Sequence, residues 1–96
     1  GLGADATNTS AINKINKLKK RKQPLSIIVN SVQMLKQYAD VDKSDLKYLK
    51  NYLPGPYTFL LNKKNSNLSN MVTLNSHKIG IRIPKSTPIN SPLINI

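Results

Sequence analysis

Two groups of cations carry the strongest chemical signal in this 96-residue chain. Lys19-Lys20-Arg21-Lys22 forms one cluster, and Arg82 stands alone in the apolar run Ile79-Gly-Ile-Arg-Ile-Pro84. A lysine ammonium is a compact point charge, whereas a guanidinium offers a planar fork that grips phosphate or carboxylate oxygens in pairs. The cluster suits a polyphosphate. It equally suits the C-terminal end of a helix, where cations offset the dipole. In a strand, Arg82 alternates in direction with Ile81 and Ile83 and points away from the face they bury. It is then either a surface-facing arginine on an edge strand or an anchor for a carboxylate. Near the start, Gly1-Leu-Gly3 lies just ahead of a helical pattern, and a glycine turn there lets backbone N–H groups approach an anion.

Composition removes several other chemistries. Without cysteine there is no disulfide framework, thiol nucleophile or thiolate metal site. His77 is the sole imidazole, which excludes a multi-histidine metal site. Lacking an Asp or Ser at a suggestive spacing, it reads as an ordinary loop histidine rather than a base. No apolar run reaches the length of a membrane span and no signal-peptide pattern is present, so a cytoplasmic protein without a membrane role is expected. The net charge of +11 arises from 13 Lys and 2 Arg against 4 Asp, with no Glu. Such an excess attracts RNA, nucleotides or other polyanions. A lysine and asparagine bias spread over solvated faces would give the same number, so charge alone does not choose.

Positioning these cations requires an α/β arrangement. Asn8, Thr9 and Ser10 are N-cap candidates, and Ala11, Ile12, Ile15 and Leu18 recur at helical spacing, which predicts a helix from Thr9 to Lys20. The β-branched run Leu25–Val29 predicts a buried strand. Ser31 caps a short helix carrying Val32, Leu35 and Tyr38. Asp42 and Asp45 open another through Leu46, Leu49 and Asn51, which Pro54-Gly55 stops. Tyr57–Asn62 reads as a strand, Lys63–Asn70 as a polar loop, and Lys78–Ile83 as a third strand. Ser91-Pro92 resembles the N-cap and first residue of a final helix. The predicted order, turn-α-β-α-α-β-β-α, implies a mixed sheet with open edges. The tyrosines Tyr38, Tyr48, Tyr52 and Tyr57 sit at spacings typical of core or boundary residues, with stacking on bases as the alternative.

In chain order, Gly1-Leu-Gly-Ala-Asp-Ala-Thr-Asn8, the basic helix end, Pro24-Leu-Ser-Ile-Ile-Val29, Leu53-Pro-Gly-Pro-Tyr-Thr-Phe59 and Gly80-Ile-Arg-Ile-Pro84 resemble the YrdC/TsaC family of threonylcarbamoyl-AMP synthases. Val72-Thr73, ahead of the arginine strand, resembles a family Val-Thr as well. The resemblance covers the central portion of the family's domain. It implies an open, twisted, mixed α/β sheet of the YrdC-like type, incomplete here. The family's Thr-x-Thr-x-Tyr strand is expected before Gly1 and its Ser-x-Asn segment after Ile96, which makes residues 1–96 one partial domain.

The implied reaction joins L-threonine, bicarbonate or CO2, and ATP, giving threonylcarbamoyl-AMP and pyrophosphate, with Mg²⁺ assisting. Other proteins then pass the threonylcarbamoyl group to tRNA. By resemblance, Lys19 and Arg21 match a Lys-x-Arg that holds ATP phosphates. Gln23, placed just before Pro24-Leu25, and Lys78 are nucleotide contacts, and Arg82 contacts threonine. Only Lys22 and Gln23 separate Arg21 from Pro24, fewer than the family usually has. No residue is implied as a general base. Two alternatives stand beside the synthase: a non-catalytic module binding double-stranded RNA or tRNA, and the related domain of carbamoyltransferase maturation enzymes.

Overall fold

In strands that alternate isoleucine with polar residues, one face is buried and the other left open. The computed structural model, which describes residues 3–19, 24–85 and 89–95, follows that rule. Its elements are β1 (Gly3–Asp5), α1 (Thr9–Lys19), β2 (Ser26–Ile28), α2 (Val32–Tyr38), β3 (Ala39–Asp40), α3 (Lys43–Leu49), β4 (Thr58–Lys63), α4 (Asn70–Thr73), β5 (Lys78–Arg82) and β6 (Leu93–Asn95). The strands form one open sheet in the order β1-β6-β2-β5-β4-β3. β2 and β5 run parallel while the other neighbours pair antiparallel, so the sheet is mixed.

The first three helices start where their capping residues predict. Asn8 Oδ1 accepts from Ala11 N–H at 3.0 Å, and Ser31 Oγ accepts from Met34 N–H at 3.1 Å. Asp42 and Asp45 form a reciprocal capping box: each carboxylate accepts the other residue's backbone N–H, at 2.7 and 3.1 Å. Ile12 and Ile15 of α1, Leu35 of α2, Leu49 of α3 and Val72 of α4 join one core with Ile27, Ile79, Ile81, Ile83 and Ile94. Each fully buried aliphatic side chain there contributes about 1.5–3 kcal/mol.

Three local expectations are corrected. The sequence predicts three strands, and six are found among the described residues. The glycine turn is one source of the difference: Gly3 lies in β1, paired with Asn95. The turn into α1 is instead closed by Asp5, whose Oδ1 accepts from Thr7 N–H at 2.8 Å and Thr7 Oγ1 at 2.7 Å. A carboxylate of the chain already takes the two Thr7 donors. Second, Ser91-Pro92 starts no helix. Ser91 hydrogen-bonds Asp5, the Pro92 carbonyl accepts from Ala6 N–H at 2.8 Å, and β6 follows between β1 and β2. Burying Ile94 in the core outweighs the local capping signal. Third, α4 emerges at the end of the predicted loop, with Ser69 as N-cap and Leu74 and Asn75 in the left-handed region behind it. Lys63 Nζ ties it to β4 by donating to Asn70 Oδ1 at 3.1 Å and Thr73 Oγ1 at 3.2 Å.

Candidate substrate-binding face

β5 lies between β2 and β4, at the middle of the sheet. Arg82 is therefore not on an edge strand, and the surface-arginine reading loses its premise. Ile79 and Ile81 enter the core, while Lys78, Gly80 and Arg82 occupy the opposite face. The register places Ser26 beside Gly80, and Thr58 beside Arg82. Gly80 is required by close packing: a Cβ there would overlap Ser26 Oγ and touch Thr58 Cγ2 at 3.4 Å.

Lys78 is held in place on this face. Its Nζ donates to Asn62 Oδ1 at 2.6 Å, a short bond strengthened by the ammonium charge. Together with Pro24, Leu25, Ser26, Thr58, Leu60, Ser76 and Gly80 it lines a hollow of about 380 Å³. Leu60, 70% exposed, contributes an apolar patch to it. The Leu25 N–H donates to the Val72 carbonyl at 2.8 Å, which fixes the start of β2 on α4. The hollow thus has lysine and hydroxyl donors around an apolar patch, which is chemistry suited to a nucleotide.

Arg82 lines a second hollow of about 420 Å³ with Gly55, Pro56, Pro84 and Lys85. The side chain is half-buried, and among the described residues nothing accepts a hydrogen bond from its guanidinium. Desolvating a cation without a partner is costly, so this geometry favours an incoming anion. The turn opposite is tied to the end of β5. Gly55 N–H donates to the Ile83 carbonyl at 2.9 Å, and a Cβ on Gly55 would lie only 2.9 Å from the Tyr52 carbonyl oxygen. The Leu53–Pro54 peptide bond in this turn is cis.

The residues singled out in the sequence divide into two groups. Lys78 and Arg82 are brought together on one strand face. Lys19 is the last residue of α1. Arg21 and Gln23 lie outside the described residues. His77 is exposed, and its carbonyl accepts from Lys63 N–H at 2.8 Å, consistent with a loop residue. Sequence reasoning missed Ser26, Thr58 and Asn62, whose only signal is strand register. Asp5 has its carboxyl held below the usual value by the Thr7 hydroxyl and the Thr7 N–H. Among the described residues no helix is long and apolar enough to cross a membrane.

Comparison with known proteins agrees with this architecture. The model of the Sua5/YciO/YrdC family, described as "Telomere recombination", matches residues 1–95. A Methanocaldococcus jannaschii protein provisionally named a threonylcarbamoyl-AMP synthase is 37% identical over 86 residues, covering 88% of this chain and 40% of its own. Threonylcarbamoyl-AMP synthase of Buchnera aphidicola is 35% identical over 66 residues, covering 64% of this chain and 35% of the relative. The chain thus spans well under half the length of these relatives. The crystal structure of P. abyssi Sua5 complexed with L-threonine superposes with a TM-score of 0.83 at 27% identity, over 98% of this chain and 30% of that one. With the family model matching residues 1–95 and the fold superposing over nearly the whole chain, the chain belongs to the Sua5/YciO/YrdC family.

Proposed function

We propose that this chain forms the threonine- and ATP-binding part of a threonylcarbamoyl-AMP synthase serving tRNA modification. The observation that carries the reading is Arg82: a half-buried guanidinium on a central strand, facing a hollow and without a partner among the described residues. Its fork matches a carboxylate in charge and geometry. The names of the relatives and the threonine complex of P. abyssi Sua5 support L-threonine as the owner of that carboxylate.

In the proposed reaction the threonine amine adds to the carbon of CO2 with release of a proton, or to that of bicarbonate with loss of water, to give a carbamate. A carbamate oxygen attacks the α-phosphorus of ATP in line. The bond from that phosphorus to the bridging oxygen breaks, and pyrophosphate leaves. Such a transfer needs positioning and charge neutralisation more than a strong base. Arg82 fixes the threonine carboxylate. Lys19, Arg21 and Lys78 neutralise phosphates, and Gln23 touches the nucleotide. Segments of the Thr-x-Thr-x-Tyr and Ser-x-Asn types, which the family pattern places before Gly1 and after Ile96, would complete the pocket. Threonylcarbamoyl-transfer proteins and tRNA would take the product onward.

The described residues do not fit a protein-held Mg²⁺. Neither hollow is lined by a carboxylate, and among the described residues no group of three or more His, Cys, Asp or Glu converges. No step is assigned to the metal.

Calorimetric titration of the full chain with L-threonine and, separately, ATP tests the reading. Arg82→Ala should lower threonine affinity at least tenfold (about 1.4 kcal/mol) and leave ATP affinity within about twofold. Equal loss of both would remove Arg82 from the threonine site. Arg21→Ala should do the reverse, and unchanged ATP affinity in that variant would exclude Arg21 from the phosphate site.

A further inference from the structure

Three polar side chains form one row across the open face of the sheet. The register sets Lys78 of β5 beside Asn62 of β4, and Asn62 beside Asp40 of β3. Directly paired residues of neighbouring strands share a face, and all three of these are exposed. The row therefore reads cation, amide, carboxylate. With strands about 4.8 Å apart, the backbones at Lys78 and Asp40 are separated by about 10 Å. A lysine arm and a carboxylate can close such a gap, yet Lys78 Nζ donates to Asn62 Oδ1 at 2.6 Å instead. Among the described residues the Asp40 carboxylate has no hydrogen-bond or ion-pair partner. Asn62 itself lies outside the hollow that Lys78 lines with Ser26, Thr58, Leu60 and Gly80. The Lys78 backbone is anchored as well, its N–H donating to Ser76 Oγ at 3.2 Å.

We infer that Asn62 is a positioning residue: it holds the Lys78 ammonium at the rim of the hollow as a full positive charge and keeps it from the Asp40 carboxylate. The inference rests on the synthase reading, in which Lys78 meets a phosphate of ATP. A free lysine arm loses rotamer entropy when a ligand fixes it, and a hydrogen bond made beforehand removes part of that cost. A carboxylate at this position would hold the arm more firmly, but it would cancel the charge that a phosphate needs. The neutral amide oxygen does the first without the second. An ammonium has three donors, so it keeps its bond to Asn62 while two remain for phosphate oxygens. Asn62 thus acts on the nucleotide through Lys78, without lining the hollow.

Calorimetric titration of the full chain with ATP tests this, with L-threonine as the control ligand. Asn62→Asp, nearly identical in shape, should weaken ATP binding about tenfold or more, because it neutralises Lys78. A purely structural role predicts the opposite: the new carboxylate would grip the ammonium and leave ATP affinity at or above that of the parent. Asn62→Ala should lose about fivefold, and adding Asp40→Asn should return that variant to within about twofold of the parent. Asp40→Asn alone should change ATP affinity by less than about twofold. Lys78→Gln should lose about tenfold, and Asn62→Ala should cost nothing more on that background. Threonine affinity should stay within about twofold throughout. Parent-like ATP binding by Asn62→Asp, no recovery on adding Asp40→Asn, or a further loss when Asn62→Ala joins Lys78→Gln would each overturn the inference. Those outcomes leave the synthase reading standing as long as Lys78→Gln weakens ATP binding. Parent-like binding by Lys78→Gln, or no ATP binding by the parent, would remove Lys78 from the phosphate site and this inference with it.

Discussion

The two faces of β5 share a backbone and have opposite chemistry. Ile79 and Ile81, at 1% and 0% exposure, hold the sheet against the helices. The side chains of Lys78 and Arg82, interleaved with them, hold little within the protein: among the described residues one bond from the Lys78 ammonium to Asn62 and none from the Arg82 guanidinium. The lesson is a division of labour with a period of two residues. Stability is concentrated in the odd-numbered positions of this strand, and the even-numbered positions are free to meet ligands.

The sharpest way to break the comparison is Ile81→Ala. Truncating a fully buried isoleucine should cost about 2–5 kcal/mol and lower the denaturation midpoint strongly. Its neighbour Arg82→Ala should move that midpoint by no more than about 0.5 kcal/mol while weakening threonine binding. If the two variants unfold alike, the open face carries structure after all. Gly80→Val makes an intermediate case. The new side chain would crowd Ser26 and Thr58 and fill the hollow, so nucleotide affinity should fall further than thermal stability. Removing the cap of α3 with Asp42→Ala should cost about 1 kcal/mol and leave ligand binding intact, because the capping box touches neither hollow.

The smallest expected effect is on pH dependence. Asp5 has its carboxyl lowered below 3.8 by the Thr7 hydroxyl and N–H, so its ionised form is favoured in the folded chain. That contribution is present above the unfolded value of 3.8 and fades as pH falls through the lowered folded value. The stability advantage of the parent over Asp5→Asn should therefore be constant near neutrality and shrink below about pH 4. A gap that widened in acid would contradict the assignment.

Much of this was legible in the sequence where the cause is local. Ser31, Asp42 and Asp45 cap helices through atoms three residues away, and the period of two in Lys78–Ile83 assigns each side chain to a face. The rest depends on distant partners. β6 is a strand because β1 and β2 flank it and Ile94 has a core to enter, whereas Ser91-Pro92 locally favours a helix start. Asn62 meets Lys78 across 16 positions of sequence, a pairing that only the β4–β5 register creates. Of the candidate site, Arg82 was legible by type and alternation, and its burial in a central strand was not. Of the tyrosines expected in the core or at its boundary, Tyr38 is core at 5% exposure, and Tyr48, Tyr52 and Tyr57 are boundary rings, exposed on one side and packed on one another or on Phe59 on the other.

The position of β6 has a consequence in time. Among the described residues β1 pairs with β6 alone, and that strand is made some ninety residues later in synthesis. Until Leu93–Asn95 arrives between β1 and β2, β1 waits without its described partner, and the β6-facing edge of β2 stays unsatisfied. Long-range pairings of this kind fold slowly and leave sheet edges exposed to neighbouring chains meanwhile. The nascent chain therefore carries β1 as a loose end while the segments between are made, and a holding chaperone would have a long window of action there.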